Sequence, residues 1–319
     1  MKRSAMLSLV AFLLLGLWHP CVAGDPNMRI AVIPKGTTHV FWKSVEAGAQ
    51  AAGKELGVEI VWKGPVKEND RAQQISIVEQ FVNEGVAGIV LAPLDFDALA
   101  RPVSTALGKR IPVVIFDSAL RGEPGKDFVS FVATNNRKGG SLGGEHLAGL
   151  LGGRGKVVLL RYMVGSASTM EREEGFLEAV AKNKDIQVIV SNRYAGATAG
   201  DAKTASMNLV DKLREADGIF CSNESTTFGM LLALRQNNLA GKVKFVGFDA
   251  SPPLVEALEK GEINALVAQN PTRMGYEGVK TVVAHIKGTK VQTTVDTGVE
   301  LITRANLNEP SIKSLLGRP

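Results

Sequence analysis

The chain has 319 residues, 45% hydrophobic and 22% charged, with 37 basic and 32 acidic side chains and a net charge of +5. That balance suits a globular protein of about two domains and excludes an intrinsically disordered chain. The basic residues are scattered rather than clustered, which excludes a nucleic-acid-binding surface.

Lys2 and Arg3 precede an apolar run over residues 7–18, and Cys21-Val22-Ala23 offers small residues for cleavage before Gly24. This is the pattern of a secretory signal peptide over residues 1–23, and it predicts export to the periplasm. The run is shorter than the roughly 20 residues that span a bilayer. Trp18-His19-Pro20 before Cys21 also makes a poor lipidation site. Cleavage removes Lys2, Arg3 and Cys21, leaving a nearly neutral chain whose one cysteine, Cys221, reads as a small core residue.

From there strand and helix alternate. A strand at 30–33 is followed by a helix at 43–56, in which Val45, Ala49, Ala52 and Leu56 share a face and Gly57 ends the run. A strand at 58–62, a helix at 71–84, a strand at 86–91, a helix at 97–108 and strands at 112–116 and 128–133 come next. Such alternation implies right-handed crossovers and a parallel sheet. The series then restarts with a helix at 138–151 and a strand at 156–160. Helices at 169–182, 201–214, 225–237, 253–260 and 272–286 separate strands at 186–190, 218–221, 243–248 and 263–268, and an irregular, β-leaning tail covers 291–307. The predicted fold class is α/β, with two doubly wound parallel-sheet lobes joined by a three-segment hinge. The crossings fall near Thr134-Asn135, Asn270-Pro271 and Gly298. Residues 28–134 and 270–297 would form the N-terminal lobe, and 135–269 and 298–319 the C-terminal lobe.

The strands are apolar enough to be buried on both faces, and each delivers a polar side chain to its carboxyl end, where open α/β sheets place their ligands. Asp117, Asn223, Asp249 and Gln269 stand in such positions. Carboxylates accept from hydroxyls, arginine donates as a fork and amides do both, so these four with Arg172 would satisfy the vicinal hydroxyls of a neutral ligand. Phe41 and Trp42 would supply flat apolar faces for a sugar ring. Asp117 and Asp249 also fit turn or cap positions, and Trp42 also fits the core. Ser168-Thr169-Met170-Glu171 reads as a capping box, which puts Arg172 in the first turn of a helix. The helix dipole opposes a cation there by about 0.3–1 kcal/mol, so either acidic neighbours or a ligand must favour it.

Cofactor and metal signatures are missing. His39, His146 and His285 lack metal-ligand spacing, and the glycines of 139–144 match neither dinucleotide nor phosphate-loop patterns, so they read as sites of close helix packing. His39 has no serine elbow or partnered cysteine, which leaves an enzyme reading little to stand on.

With these residues in place, residues 28–303 resemble the ribose-type periplasmic sugar-binding proteins of ABC transporters, which share their fold with the effector domains of lactose-repressor-like regulators. The motifs are His39-Val40-Phe41-Trp42 with Glu46-Ala47-Gly48-Ala49-Gln50, residues 112–117, 170–176 (MEREEGF), 221–224 (CSNE), 246–249 (VGFD) and 267–270 (VAQN). The resemblance implies that Phe41 and Trp42 line the ring, that Asp117, Arg172, Asn223, Asp249 and Gln269 bind hydroxyls, and that His39 holds a polar ligand-binding position. Two departures stand out. Ser118 occupies the place of an arginine in the ribose binders, which predicts a larger, less positive corner and a hexose or polyol rather than ribose. Tyr194-Ala195-Gly196-Ala197 replaces a stacking aromatic, with Tyr194 as a substitute.

The function expected is that of a monomeric periplasmic solute-binding protein, without cofactor, that closes over a monosaccharide or polyol and delivers it to an ABC-transporter permease. A sensor presenting the bound form to a chemoreceptor or kinase is the alternative, and a sugar-processing enzyme ranks below both. A repressor is disfavoured by the leader and by the lack of a helix-turn-helix segment before Met28.

Overall fold

A computed structural model describes residues 28–318; the signal-peptide reading falls outside them. The first half of the chain runs β1 (Arg29–Ile33), α1 (Val40–Leu56), β2 (Glu59–Trp62), α2 (Arg71–Glu84), β3 (Gly88–Leu91), α3 (Ala100–Gly108), β4 (Val113–Phe116) and β5 (Ser130–Ala133). The second begins with α4 (Asn136–Leu150), β6 (Arg154–Arg161), α5 (Ala167–Ala181), β7 (Asp185–Tyr194), α6 (Ala199–Met207), α7 (Val210–Glu215) and β8 (Gly218–Cys221). It continues with α8 (Glu224–Gln236), β9 (Lys244–Phe248), α9 (Pro252–Glu259), β10 (Ala265–Gln269) and α10 (Pro271–Ile286), and ends with β11 (Thr294–Asp296), β12 (Val299–Thr303) and α11 (Pro310–Leu315).

These strands form two sheets, β11-β5-β4-β3-β1-β2 and β12-β10-β9-β8-β6-β7. The fold is therefore two α/β lobes of matching design. The central strands β1, β3, β4, β8, β9 and β10 are buried almost throughout, as expected for sheets covered by helices on both faces. The chain passes from one sheet to the other between β5 and α4, between β10 and α10, and between β11 and β12.

Helices pack closely where glycine removes the side chain. A Cβ on Gly48 of α1 would lie 1.9 Å from the Thr272 carbonyl oxygen of α10, and one on Gly140 of α4 would lie 1.9 Å from that of Arg172 on α5. The same device serves both lobes, and it accounts for the glycines of 139–144.

The tail departs from expectation. Residues 294–296 pair in parallel with β5, and 299–303 pair antiparallel with β10. The reason is the route: β11 reaches the carboxyl edge of the first sheet, the chain turns at Gly298 in a left-handed conformation, and it enters the second sheet from the edge where that sheet's strands end. An expected all-parallel sheet thus gains one antiparallel edge strand. The helix expected over 201–214 is broken into α6 and α7 at Asn208, which caps helices better than it propagates them. Among the described residues no helix is long and apolar enough to cross a membrane.

Candidate functional site

The carboxyl edges of the two sheets face each other, and a polar cavity lies between them. Two strands end alike. Asp117 follows β4 and Asp249 follows β9, both with positive φ (61° and 68°), a conformation that costs a non-glycine residue energy unless its surroundings fix it. What fixes them is the sheet: the Asp117 N–H donates to Val132 and the Asp249 N–H to Val267. Each carboxylate is thereby turned into the cleft.

On the first lobe, the loop after β1 carries Lys35, whose Nζ lies 2.9 Å from Asp117 Oδ2 and donates to Ser168 Oγ on the opposite lobe at 2.9 Å. His39 is the N-cap of α1, so the helix begins three residues earlier than expected and takes Phe41 and Trp42 into its first turn. His39 makes no side-chain cap. Instead its Nδ1 stands 2.7 Å from Glu68, and the Phe41 N–H donates across the cleft to Glu224 Oε2 at 3.2 Å. A helix start leaves N–H groups unpaired and positive, and a carboxylate from the other lobe meets one of them.

Trp42 is both core and wall. It packs edge-on against Phe116 and Phe41, is 3% exposed, and donates its Nε1–H to Glu68 at 2.8 Å while lining the cavity. Glu68 also accepts the Tyr162 hydroxyl of the second lobe at 2.9 Å.

On the second lobe, Arg172 donates its Nε–H to Asn136 Oδ1 at 2.8 Å and an Nη–H to the Ser222 carbonyl at 3.0 Å, with its guanidinium 4.0 Å above the Phe248 ring. The capping box at Ser168 is not formed. Ser166 is the extended residue before α5, so the helix starts at Ala167 and Arg172 falls in its second turn. Ser168 is inside the helix, where its hydroxyl serves Lys35. The partners that favour Arg172 against the helix dipole are therefore Asn136, the Ser222 carbonyl and the Phe248 ring, which tie it into the fold.

Asn223 caps α8 through its Oδ1, donates its Nδ2–H to Ser225 Oγ at 3.2 Å and lines the cavity. Asp249 accepts the Glu224 N–H at 2.8 Å and the Gln269 Nε2–H at 2.7 Å, while the buried Gln269 Oε1 has no partner. The space among these groups is about 330 Å³, including the part open to solvent. Among the described residues no cluster of histidine, cysteine or carboxylate side chains could hold a metal.

Residues 30–290 match the family model described as a periplasmic binding protein domain. The chain belongs to that family. It is 30% identical to the ribose import binding protein of Haemophilus influenzae over 93% of its own length and 99% of that protein's. It is 31% identical to the D-ribose/D-allose-binding protein of Pseudomonas aeruginosa, over 86% of this chain and 88% of that one. Among solved structures it resembles a carbohydrate transporter solute-binding protein of Agrobacterium radiobacter in complex with D-arabinose (36% identity, TM-score 0.87, 91% and 99% coverage). It is also similar to an ABC-transporter solute-binding protein of Agrobacterium vitis with bound D-fucose (35%, 0.87, 90% and 99%).

Of the nine site residues expected from the sequence, eight line the cavity of this periplasmic binding protein: His39, Phe41, Trp42, Asp117, Arg172, Asn223, Asp249 and Gln269. Ser118 does not. It is 1% exposed and its hydroxyl accepts the Ser168 N–H at 3.1 Å, tying the lobes together outside the cavity. The expected less positive corner is absent as well, since Asp117 already has the Lys35 ammonium as its partner. Tyr194 is also elsewhere, 46% exposed on β7, and Tyr162 supplies an aromatic wall instead.

Lys35, Glu68, Tyr162 and Glu224 are cavity residues that the sequence did not single out. Lys35 follows the strand at 30–33 and could have been found by treating every strand end alike, whereas Glu68 lies six residues beyond β2, in the loop before α2.

Electrostatics separate the carboxyl groups. Burial alone would lower the His39 pKa, but the charge and hydrogen bond of Glu68, with help from Glu224 and Asp249, raise it to about 9. Glu68 moves the other way: burial would raise it, and His39, Lys35 and Trp42 bring it down to about 2. Burial raises the pKa of Asp249 against the opposing pull of Arg172, and burial together with the neighbouring Asp249 charge raises that of Glu224. The cavity therefore combines fixed ion pairs with carboxylates that still have accepting capacity.

Proposed function

We propose that this protein binds one neutral monosaccharide or polyol between its lobes and presents the closed form to an ABC-transporter permease in the periplasm. The observation that carries the reading is the set of opposed donors and acceptors converging on one cavity: Lys35, His39 and Asp117 from the first lobe, and Arg172, Asn223, Asp249 and Gln269 from the second. Alternating donors and acceptors match vicinal hydroxyls, and the Phe41, Trp42 and Tyr162 rings match the C–H faces of a sugar. The cavity is lined from both lobes and confined by contacts between them, which favours one ring over an oligosaccharide.

The relatives support the same reading. Those cited above are named for ribose, for ribose and allose, and for complexes with D-arabinose and D-fucose. Division at the three crossings, with residues 28–134 and 270–297 in one lobe and 135–269 and 298–319 in the other, supplies the hinge such a protein needs. The test is a thermal-shift screen of the exported chain against pentoses, hexoses and polyols. A ligand present at 100 times its Kd adds about 2.7 kcal/mol to the folded state. A shift with one or a few sugars is the expected result, and no shift with any of them would overturn the reading.

A further inference from the structure

The lobes also meet away from the sugar cavity, where the turn between β6 and α5 reaches the first lobe. Two consecutive carbonyls of that turn accept bonds across the gap: Val164 from an Nη–H of Arg71 at 2.9 Å, and Gly165 from the Phe96 N–H at 2.9 Å. Neither the donors nor the acceptors line the cavity.

The first-lobe half of this contact is fixed from within. Arg71 is the first residue of α2, a position where the helix dipole disfavours a cation. Its partner comes from the loop after β3: Asp95 Oδ2 lies 2.8 Å from Arg71 Nε, while Asp95 Oδ1 accepts the Asp97 and Ala98 N–H groups at 3.0 and 2.9 Å. The Phe96 carbonyl accepts the Arg121 N–H at 2.8 Å, so the residue that presents its N–H to the other lobe is itself held. On the second lobe the turn is tied at both ends, by the Tyr162 N–H donating to Glu173 at 2.9 Å and by the Thr169 hydroxyl donating to the Ser166 carbonyl at 3.1 Å. Gly165 stands between them with φ of 90°, where glycine is favoured. A Cβ on it would lie 2.3 Å from Asp95 Oδ2 and 3.1 Å from Arg71 Nη2, both atoms of the opposite lobe.

We infer that Arg71, Asp95 and Phe96, with the Val164-Gly165 turn, form a latch that sets how tightly and for how long the closed cleft holds its ligand without touching that ligand. The inference rests on the reading of the cavity as a sugar site and specifies what regulates it. Separating the lobes breaks both bonds and returns the Arg71 guanidinium and the two carbonyls to water, so the latch enters the energy of closure rather than that of either lobe. Its strength is moderate, because the half-exposed Arg71 is screened by solvent. Gly165 makes the contact possible: a side chain there would meet the Asp95 carboxylate and hold the lobes apart. Apparent affinity falls with the fraction of protein able to close, so a change in the latch should scale the affinity for every sugar alike, which a change in a ligand contact would not do.

The test is calorimetry and stopped-flow displacement of the exported chain with D-ribose, D-allose, D-arabinose and D-fucose. Arg71→Ala should weaken every sugar that binds by one common factor, about 3- to 10-fold, mostly through faster dissociation, with little change in the urea midpoint of the ligand-free protein. Gly165→Ala should weaken all of them by about tenfold or more. Asp95→Ser keeps a hydroxyl for the Asp97 and Ala98 N–H groups but lacks the Oδ2 that the new methyl would strike. Combined with Gly165→Ala it should therefore restore part of the affinity, a recovery that a turn merely strained by alanine would not show. Sugar binding unchanged in both Arg71→Ala and Gly165→Ala would overturn the latch and leave the sugar site standing. A loss confined to one sugar among several, or no recovery in the double variant, would also overturn it. Binding of none of these sugars by the native chain would overturn the sugar site and the latch together.

Discussion

The Lys35 ammonium stands 2.9 Å from the Asp117 carboxylate, and each side chain is about 4% exposed, yet the third member of the group, Ser168, belongs to the other lobe. The pair is therefore dry only while the lobes are together. Removing one partner of a buried pair costs about 3–5 kcal/mol, because the remaining charge is left uncompensated. In Lys35→Met that cost should fall on closure rather than on folding, since water in an open cleft can solvate Asp117. Sugar affinity should drop by about two to three decades, measured by calorimetry, with little change in the urea midpoint of the ligand-free protein. A large midpoint change with affinity retained would show the pair to be a folding contact.

His39 and Glu68 make stability depend on pH in a defined window. The His39 pKa is raised from 6.5 to about 9, so its contribution is complete below about 6.5 and is lost as pH rises through 9. The Glu68 pKa is lowered from 4.5 to about 2, so its contribution is complete above about 4.5 and is lost as pH falls through 2. Stability from the pair should thus be greatest at about pH 4.5–6.5 and decline towards pH 9 by about 1–3 kcal/mol. Melting curves at pH 6 and pH 9.5 should show a larger loss for the native chain than for His39→Asn. Equal losses would remove His39 from the account.

Arg172 should matter to the fold as well as to the ligand. Arg172→Ala leaves the Asn136 amide oxygen and the Ser222 carbonyl without their buried donor and uncovers the Phe248 ring. A loss of about 2–4 kcal/mol follows, or about 5–10 °C in Tm, along with the loss of sugar binding. Arg172→Lys restores the charge but not the fork, so it should recover part of the stability and little of the affinity. A Tm unchanged in Arg172→Ala would contradict the hydrogen bonds described.

Glu224 should govern how long a ligand stays. Its bond to the Phe41 N–H joins the lobes through a helix start that has no other acidic group in its first turn. Glu224→Ala should raise the ligand dissociation rate by about 10- to 100-fold, the loss expected for one charged hydrogen bond, while Glu224→Gln keeps an acceptor and should change it far less. Stopped-flow displacement measures both. Equal acceleration in the two variants would point to the charge rather than to the bond.

Much of the architecture could be read from the chain because a strand buried on both faces is written as an unbroken apolar run, and the polar residue that ends it is conspicuous. Asp117, Asn223, Asp249 and Gln269 were visible for that reason. Glu68 was not, because it lies in the loop between β2 and α2, and only the packing of Trp42 and the approach of Tyr162 bring it into the cavity. Tyr162 sits one residue beyond Arg161 and reads as an ordinary core aromatic. At α5 the motif was present but the chain did not use it: Ser168 matches a cap, yet the backbone is helical from Ala167 and the hydroxyl is engaged by Lys35. The antiparallel β12 could not be foreseen from propensity, since its direction is set by the edge at which the chain enters the sheet.

That the chain goes back and forth between the sheets has a consequence for its synthesis. The core of the first lobe depends on Met274, Val279, Val282 and Val283 of α10, and its outer strand is residues 294–296. A nascent chain that has just emerged through residue 134 holds five of the six strands of that sheet but lacks α10, which covers one of its faces together with α1. Nearly three hundred residues must be available before either half can be finished. The amino-terminal portion therefore remains incompletely folded through most of translation, the condition in which a polypeptide can still be threaded across a membrane.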